Sequence, residues 1–321
     1  MVAAGLTIEA MAAFVPEPVS SVEAVAPRLR LGRAKVKLFQ KVHGLDRLRL
    51  DPDLSVLDLI TEPAARLVAE LADPGRIKHV VYAHTIQDVA PAGFDVAAAL
   101  AARLGLHRAN AFALTQQNCA SGLAAVDVCG ELLAAADDPD ALALVVTGEK
   151  AFSPMAQLIE NTTIMGDASA ACLVGLADGA RSGGGDRVLS YSSRTDGRYA
   201  DGIRLDAGLL REFGLAYAAR LAETIRAALA GAGLTLADVA LIVPHNVNVS
   251  SWRKVVELLG TDPATVFLDN VAEYGHCYCS DPFLNYTQLR DRGRLTAGGH
   301  YVCTALGLGA TYAAMVLRHE G

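Results

Sequence analysis

The sequence predicts an α/β protein, its sheet covered by helices on both faces and its two halves built alike. Three observations carry this expectation. Short apolar runs bounded by turn residues alternate with Ala/Leu-rich stretches of 3.6-residue periodicity, the alternation of a largely parallel, doubly covered sheet. A Gly-rich stretch, GARSGGGDR (179–187), falls a little past the middle. Both flanks end alike, in a Gly turn leading into a small-residue, strand-like run: GDASAACLVGL before the stretch and GLGATYAAMVL near the C-terminus. The expected division is a first half over 1–178, a linker over 179–187 and a second half over 188–321.

In chain order, SVLDLITEPAARLVAEL (55–71) has helical periodicity and HVVYAHT (79–85) is a short apolar strand. FDVAAALAARLG (94–105) and ASGLAAVDVCGELLAAA (120–136) are Ala-rich helices, the first closed by glycine. ALALVVTGE (141–149) and ASAACLVGL (168–176) are buried strands. A helix over LAYAARLAETIRAALAGAG (215–233), a strand over VALIVPHN (239–246), a helix over SWRKVVELLG (251–260) and a strand over HYVCTALG (300–307) follow.

Composition removes several classes of function. With 52% hydrophobic and 20% charged residues, 321 residues bury a substantial core and are not disordered. The net charge of −7 is dispersed and no long basic run exists, which argues against nucleic acid as a partner. No segment reaches the roughly 18 apolar residues of a membrane span. The opening MVAAGLTIEAMAAF has no basic flank and carries Glu9 where a signal core is apolar, so a cytoplasmic protein is expected. Six cysteines are too few for a disulfide scaffold, and a reducing compartment keeps them as thiols.

Four segments carry chemistry. TQQNCASGLAAVDV puts Cys119 where a loop becomes a helix, with Ser121 and Gly122 allowing close backbone approach. A helix N-terminus favours a thiolate there, although a lone cysteine is equally a small core residue, as Cys129 and Cys172 are expected to be. LIVPHNVNVSSW releases His245 at the C-terminal end of a strand, where α/β proteins do chemistry, or leaves it as a loop histidine. YGHCYCSDP gathers His276, Cys277, Cys279 and Asp281, and reads as a metal site, a redox pair or one corner of an active site. The metal alternative lacks a second ligand pair at zinc spacing. CTALGLGATY offers Gly307 and Gly309 in a tight turn whose N–H groups can face an oxyanion.

In this order the segments resemble the thiolase superfamily, most closely its β-ketoacyl-ACP synthase III branch. AAFVPEPVSSVEAV is similar to that branch's opening strand and turn, and NCASGLAA to its nucleophile turn. IMGDASAACLVG resembles its Gly-Asp signature, with Gly166 and Asp167; VPHNVN resembles its Pro-His-Gln-Ala-Asn segment, with His245 and Asn248. DNVAEYGHCYCSD resembles its Tyr-Gly-Asn segment and ALGLGATY its Gly-rich C-terminal turn. The resemblance implies the thiolase fold, two βαβαβαββ halves stacked as an αβαβα sandwich. It also implies a homodimer, a carrier-protein or CoA thioester as acyl donor, and no cofactor or metal.

Residue by residue, the resemblance makes Cys119 the nucleophile, His245 the second catalytic residue and His276 the third, where the branch keeps asparagine. Elongating ketosynthases and thiolases carry a Gly-His there, as Gly275-His276 does here. The oxyanion donors would be the N–H groups of Cys119 and of Leu308, beside Gly307, each such donor being worth roughly 3–4 kcal/mol. The implied reaction is decarboxylative condensation with a malonyl thioester in a fatty-acid-like or polyketide pathway. Histidine also shuttles protons where asparagine only donates a hydrogen bond, so acyl transfer to a hydroxyl, an amine or a second carrier is the alternative. A silent subunit of a heterodimeric synthase is a further alternative, opposed by the presence of Cys119 and His245 together.

Departures from the branch define the remaining expectations. The early segment AKVKLFQKVHGLDRLRL lacks the Trp and Arg pattern of CoA-primed members, and Ser250 stands where a carrier-docking arginine aligns. Arg253 and Lys254, one turn on, are the candidate replacements for docking a carrier. Cys303 aligns about two residues ahead of the second thiolase cysteine and is a supporting candidate, as is Asn248. Asp281 either orients His276 or caps the turn before Pro282. Cys277, Tyr278 and Cys279 are expected to line the pocket.

Overall fold

The computed structural model describes residues 2–177 and 185–321. The first half runs β1 (Leu6–Phe14), α1 (Val56–Glu70), β2 (Ile77–Ala83), α2 (Val96–Arg103), β3 (Asn110–Leu114), α3 (Ser121–Ala134), β4 (Leu142–Glu149), β5 (Ala168–Leu176). The second runs β6 (Asp186–Thr195), α4 (Ala207–Gly231), β7 (Val239–Val243), α5 (Val249–Leu259), α6 (Asp281–Asp291), β8 (His300–Gly307), β9 (Thr311–Arg318). Of the predicted linker, 179–184 lie outside the described residues. Asp186 and Arg187 already belong to β6 and pair with Ile8 and Thr7.

Strand pairing repeats between the halves. In the first, β2 is parallel to β3 and β4, and β5 is antiparallel to β4 and β1. In the second, β7 is parallel to β8, and β9 is antiparallel to β8 and β6. The counterpart of β3 is reduced to one parallel bridge, Ile242 to Val266. The short β1–β6 pairing joins both sets into one nine-stranded order, β7-β8-β9-β6-β1-β5-β4-β2-β3.

Helices complete five layers. α1 and α2 cover the outer face of the first set, and α4 with α5 cover that of the second. α3 and α6 lie between the sets, each touching strands of both halves. This is the αβαβα sandwich that the resemblance implied. Leu123, Val126, Phe283, Tyr286, Ala305 and Met315 meet in the central core.

Local chemistry explains the elements. Ser55 and Asp58 form a capping box that starts α1, and Leu59, Ile60, Ala64 and Leu67 give it one buried stripe. Pro63 inside α1 cannot donate to the Leu59 carbonyl four residues back, and Ser169 Oγ of β5 donates to it instead at 2.6 Å. α4 begins earlier than the periodicity predicts because the Asp206 carboxylate accepts from the N–H groups of Gly208 and Leu209. β7 ends at Val243, three residues short of the predicted strand, so Pro244 to Asn246 leave the sheet. α6 was not expected from periodicity, since it is buried nearly all round and has no polar face to mark it. Among the described residues no helix is long and apolar enough to cross a membrane.

Gly122 lets α3 and α6 start against each other. A Cβ there would lie 2.7 Å from Phe283 Cε2 and 2.8 Å from the Cys279 carbonyl oxygen. Gly-to-Ala changes inside helices ordinarily stabilise by up to ~1 kcal/mol. Gly122→Ala is expected to reverse that sign and destabilise by about 1–3 kcal/mol, because the obstacle includes backbone. Denaturant unfolding at equilibrium checks it, and a stabilised variant would contradict the close approach.

Candidate active site

Cys119 sits in a one-turn 3-10 helix, Asn118–Ala120, that runs straight into α3. The approach bends through left-handed backbone at Gln116 (φ 71°) and Asn118 (φ 49°), a region in which asparagine is the better tolerated of the two. The Asn118 side-chain amide donates to the Leu308 carbonyl, tying this turn to the one between β8 and β9. Gly307 has to be glycine, since a Cβ would run into the Gln117 carbonyl and the Asn118 side chain. The two turns expected to supply oxyanion N–H groups, at Cys119 and Leu308, are therefore in contact.

His276 is delivered by the short helix Val271–Tyr274 and by Gly275, whose φ of 67° suits glycine. Its backbone is clamped by the first half: His276 N–H donates to the Ile164 carbonyl at 3.2 Å, and Gly166 N–H donates to the His276 carbonyl at 3.0 Å. The ring bridges two functional groups. Nε2 is 3.2 Å from Cys119 Sγ, and Nδ1 hydrogen-bonds Asp281 Oδ2. Asp281 is fully buried at the start of α6. Its carboxylate also accepts from Cys277 N–H at 2.8 Å, Asn246 N–H at 2.6 Å and the Asn246 side-chain amide at 3.2 Å. Asp281 thus does both things weighed from the sequence: it orients His276 and accepts from the turn before Pro282.

His245 stands apart. Its ring centroid is 5.8 Å from that of His276, and its Nε2 is 3.3 Å from the Tyr217 hydroxyl of α4, with no hydrogen bond to Cys119. Trp252 Nε1 donates to the His245 carbonyl at 3.0 Å, and the indole packs edge-on to the imidazole. The two histidines diverge electrically. Burial disfavours the charged form of His276, but the charges of Cys119 and Asp281 and the hydrogen bonds to both outweigh it and lift the ring to about 10. Burial first, then the His276 charge, hold His245 well below its ordinary value against the opposing Thr304 backbone. One imidazolium and one neutral imidazole stand side by side. Tyr217, Asn246 and Asn285 are the contributors that sequence reasoning missed, because helical periodicity hides a tyrosine and VPHNVN drew attention only to His245 and Asn248.

The remaining candidates take other places. Asn248 caps α5, accepting from Ser251 N–H at 2.6 Å and donating to the Thr162 carbonyl at 2.9 Å. Ser250 pairs with His43 at 2.8 Å. Cys303 packs in the central core beside β7, where burial pushes its thiol up, so it is a packing residue and not a second acid–base group. Tyr278 opens a second 3-10 turn, Tyr278–Ser280, with φ 55°, and its hydroxyl donates to the Ala156 carbonyl at 2.7 Å. Cys277 Sγ points to the Tyr274 carbonyl and Cys279 Sγ to that of Ala83, so the two thiols diverge and are free. Among the described residues no group of three or more His, Cys, Asp or Glu is arranged for a metal ion. Arg253 and Lys254 lie exposed on α5.

Residues 229–319, which carry both histidines, match the 3-oxoacyl-[acyl-carrier-protein (ACP)] synthase III C-terminal family. The β-ketoacyl-[acyl-carrier-protein] synthase III of Rhodobacter capsulatus is 30% identical over 266 residues, covering 78% of this chain and 81% of the relative. The chain belongs to the β-ketoacyl-ACP synthase III family. The synthase III fold is matched along the whole chain. The 3-oxoacyl-(acyl carrier protein) synthase III of Pseudomonas aeruginosa PAO1 superposes with a TM-score of 0.81 at 23% identity, covering 99% of each chain. ChlB3, described as an acyltransferase, gives 0.84 at 20% identity over 98% of each.

A raised histidine adds stability that is full below its unfolded value near 6.5 and is lost as pH rises through its folded value. For His276 that window runs from about 6.5 to about 10. The melting-temperature advantage of wild type over His276→Asn should shrink steadily across that range. An advantage constant with pH would mean that the ring is not held charged.

Proposed function

We propose that this synthase III-family protein is an acyltransferase that loads an acyl group on Cys119 and passes it to a protic acceptor, a hydroxyl or an amine. The observation that carries this reading is the Asp281 hydrogen bond to His276 Nδ1. In the neutral ring that bond keeps the single proton on Nδ1, leaving Nε2 as a lone pair beside the sulfur. A lone pair suits a general base. Stabilising a malonyl-derived enolate needs an N–H donor at that point, which asparagine offers and a neutral, Asp-held histidine does not.

The steps balance. The Cys119 thiolate attacks the donor thioester carbonyl, and the N–H groups of Cys119 and Leu308 hold the tetrahedral oxyanion. The C–S bond to the donor breaks, and the departing thiolate takes the Nε2 proton of the His276 imidazolium. The acyl-enzyme then lacks the thiolate that raised His276, so the ring is neutral with Nε2 free. An acceptor O–H or N–H gives its proton to Nε2 while the oxygen or nitrogen attacks the acyl carbon. The C–S bond to Cys119 breaks, and the thiolate–imidazolium pair returns. His245, neutral beside the ring, flanks the acyl carbon.

Condensation with a malonyl thioester is the second reading, supported by family membership and by a neutral His245 beside the His276 ring. The silent-subunit reading is opposed by a nucleophile, base and carboxylate in hydrogen-bonded order. The exposed Arg253 and Lys254 suit an acidic carrier protein as donor. A homodimer acting in the cytoplasm goes with this assignment.

Intact-protein mass after incubation with acyl-carrier and acyl-CoA thioesters should show one acyl adduct, absent in Cys119→Ala. Hydroxyl or amine acceptors should discharge it, and Asp281→Asn should slow discharge by roughly 10²–10⁴-fold. An adduct consumed only by malonyl-carrier, with release of CO₂, would overturn acyl transfer in favour of condensation.

A further inference from the structure

Asn285 lies wholly buried on α6, four residues after Asp281 and therefore on the same face of the helix. A buried amide is costly unless each of its polar atoms is paired. Here all four hydrogen-bonding positions are used. Nδ2 donates to the Pro244 carbonyl at 2.7 Å and to Asn246 Oδ1 at 2.8 Å. Oδ1 accepts from Asn270 Nδ2 at 2.7 Å and from Asn246 Nδ2 at 3.4 Å.

The partners lie on separate segments of chain. Pro244 and Asn246 bracket His245 in sequence. Asn270 immediately precedes the short helix that delivers Gly275 and His276. Asn285 belongs to the helix that opens with Asp281. Asn246 is shared, since its side-chain amide reaches Asp281 Oδ1 as well as Asn285. One side chain thus ties together the segment of each histidine and the helix of the carboxylate. Asp281, at the start of the same helix, is bonded to both histidine segments as well, so Asn285 is the second tie, one turn further on.

We propose that Asn285 is a positioning residue that sets the spacing of His245 and His276 and keeps Asp281 seated on His276. The proposal rests on the Cys119–His276–Asp281 triad reading. Without Asn285 the Asn246 amide has no anchor on its far side, and Pro244 and Asn270 lose their link to α6. The ring would then be held less firmly between thiol and carboxylate. The groups facing that ring are Cys119 from the turn before α3, His245 from the end of β7, Asp281 from α6 and Tyr278 from the intervening turn. Glu149 and Asp167 act on Tyr278 from behind it.

The test is the titration of the His276 ring by NMR of histidine-labelled protein, with His276→Asn assigning the resonance. Wild type should titrate toward 10, and Asn285→Ala at least one unit lower, with acyl discharge slowed at least tenfold. Asn270→Ala removes a single bond outside α6 and carries the test if Asn285→Ala does not fold; it should move the titration the same way by less. Variants that melt lower while His276 titrates unchanged would overturn the positioning role and leave Asn285 a packing residue. A wild-type ring titrating near 6.5 would instead overturn the triad reading itself.

Discussion

The site depends on two central helices that begin at the same place. α3 comes from the first half and α6 from the second, and the missing side chain of Gly122 lets the start of one lie on the start of the other. Because each helix begins where its half of the sheet faces the centre, the groups at the two starts meet there. The thiol comes from one half of the chain, while imidazole and carboxylate come from the other. The five layers act as a frame that brings three residues, 162 positions apart at the extremes (281 − 119), into hydrogen-bonding order.

Electrostatics then separates two residues of the same type. His245 and His276 are equally buried, but only His276 has a thiol on one side and a carboxylate on the other. In a medium of low polarisability the partner decides the charge state, and the first ring to become charged keeps its neighbour neutral. The branch's asparagine could not take part in such a division, since an amide does not titrate. In this chain the histidine is accompanied by a buried carboxylate and by the amides that satisfy that carboxylate.

Much of this was legible in the sequence. β2, β4, β5 and β8 are apolar runs buried on both faces, and such runs announce themselves. Cys119, His245 and His276 were singled out because their surrounding segments keep the order of a known family. α6 was not legible: Asp281, Asn285 and Thr287 are buried among apolar residues, so no polar face alternates with an apolar one. β6 was hidden by its serines and arginines, and its start was mistaken for a linker. The Asp281 bond was weighed against a turn cap, and sequence spacing cannot choose between them. The fold uses both, and Asn246, arriving from a strand end 35 residues earlier (281 − 246), shares the same carboxylate. Cys303 misled in the opposite direction, because strand alternation keeps a face but says nothing of depth.

The second 3-10 turn has a further meaning when set beside the first. Asn118-Cys119-Ala120 leads into α3 and Tyr278-Cys279-Ser280 into α6; each opens on a left-handed non-glycine residue and carries its cysteine in the middle. The strand order of the halves makes these turns counterparts, so Cys279 is the structural twin of Cys119. Its sulfur faces the Ala83 carbonyl and the buried Glu149, and burial pushes its thiol up. One turn presents its sulfur to the His276 ring, and the other packs against that turn.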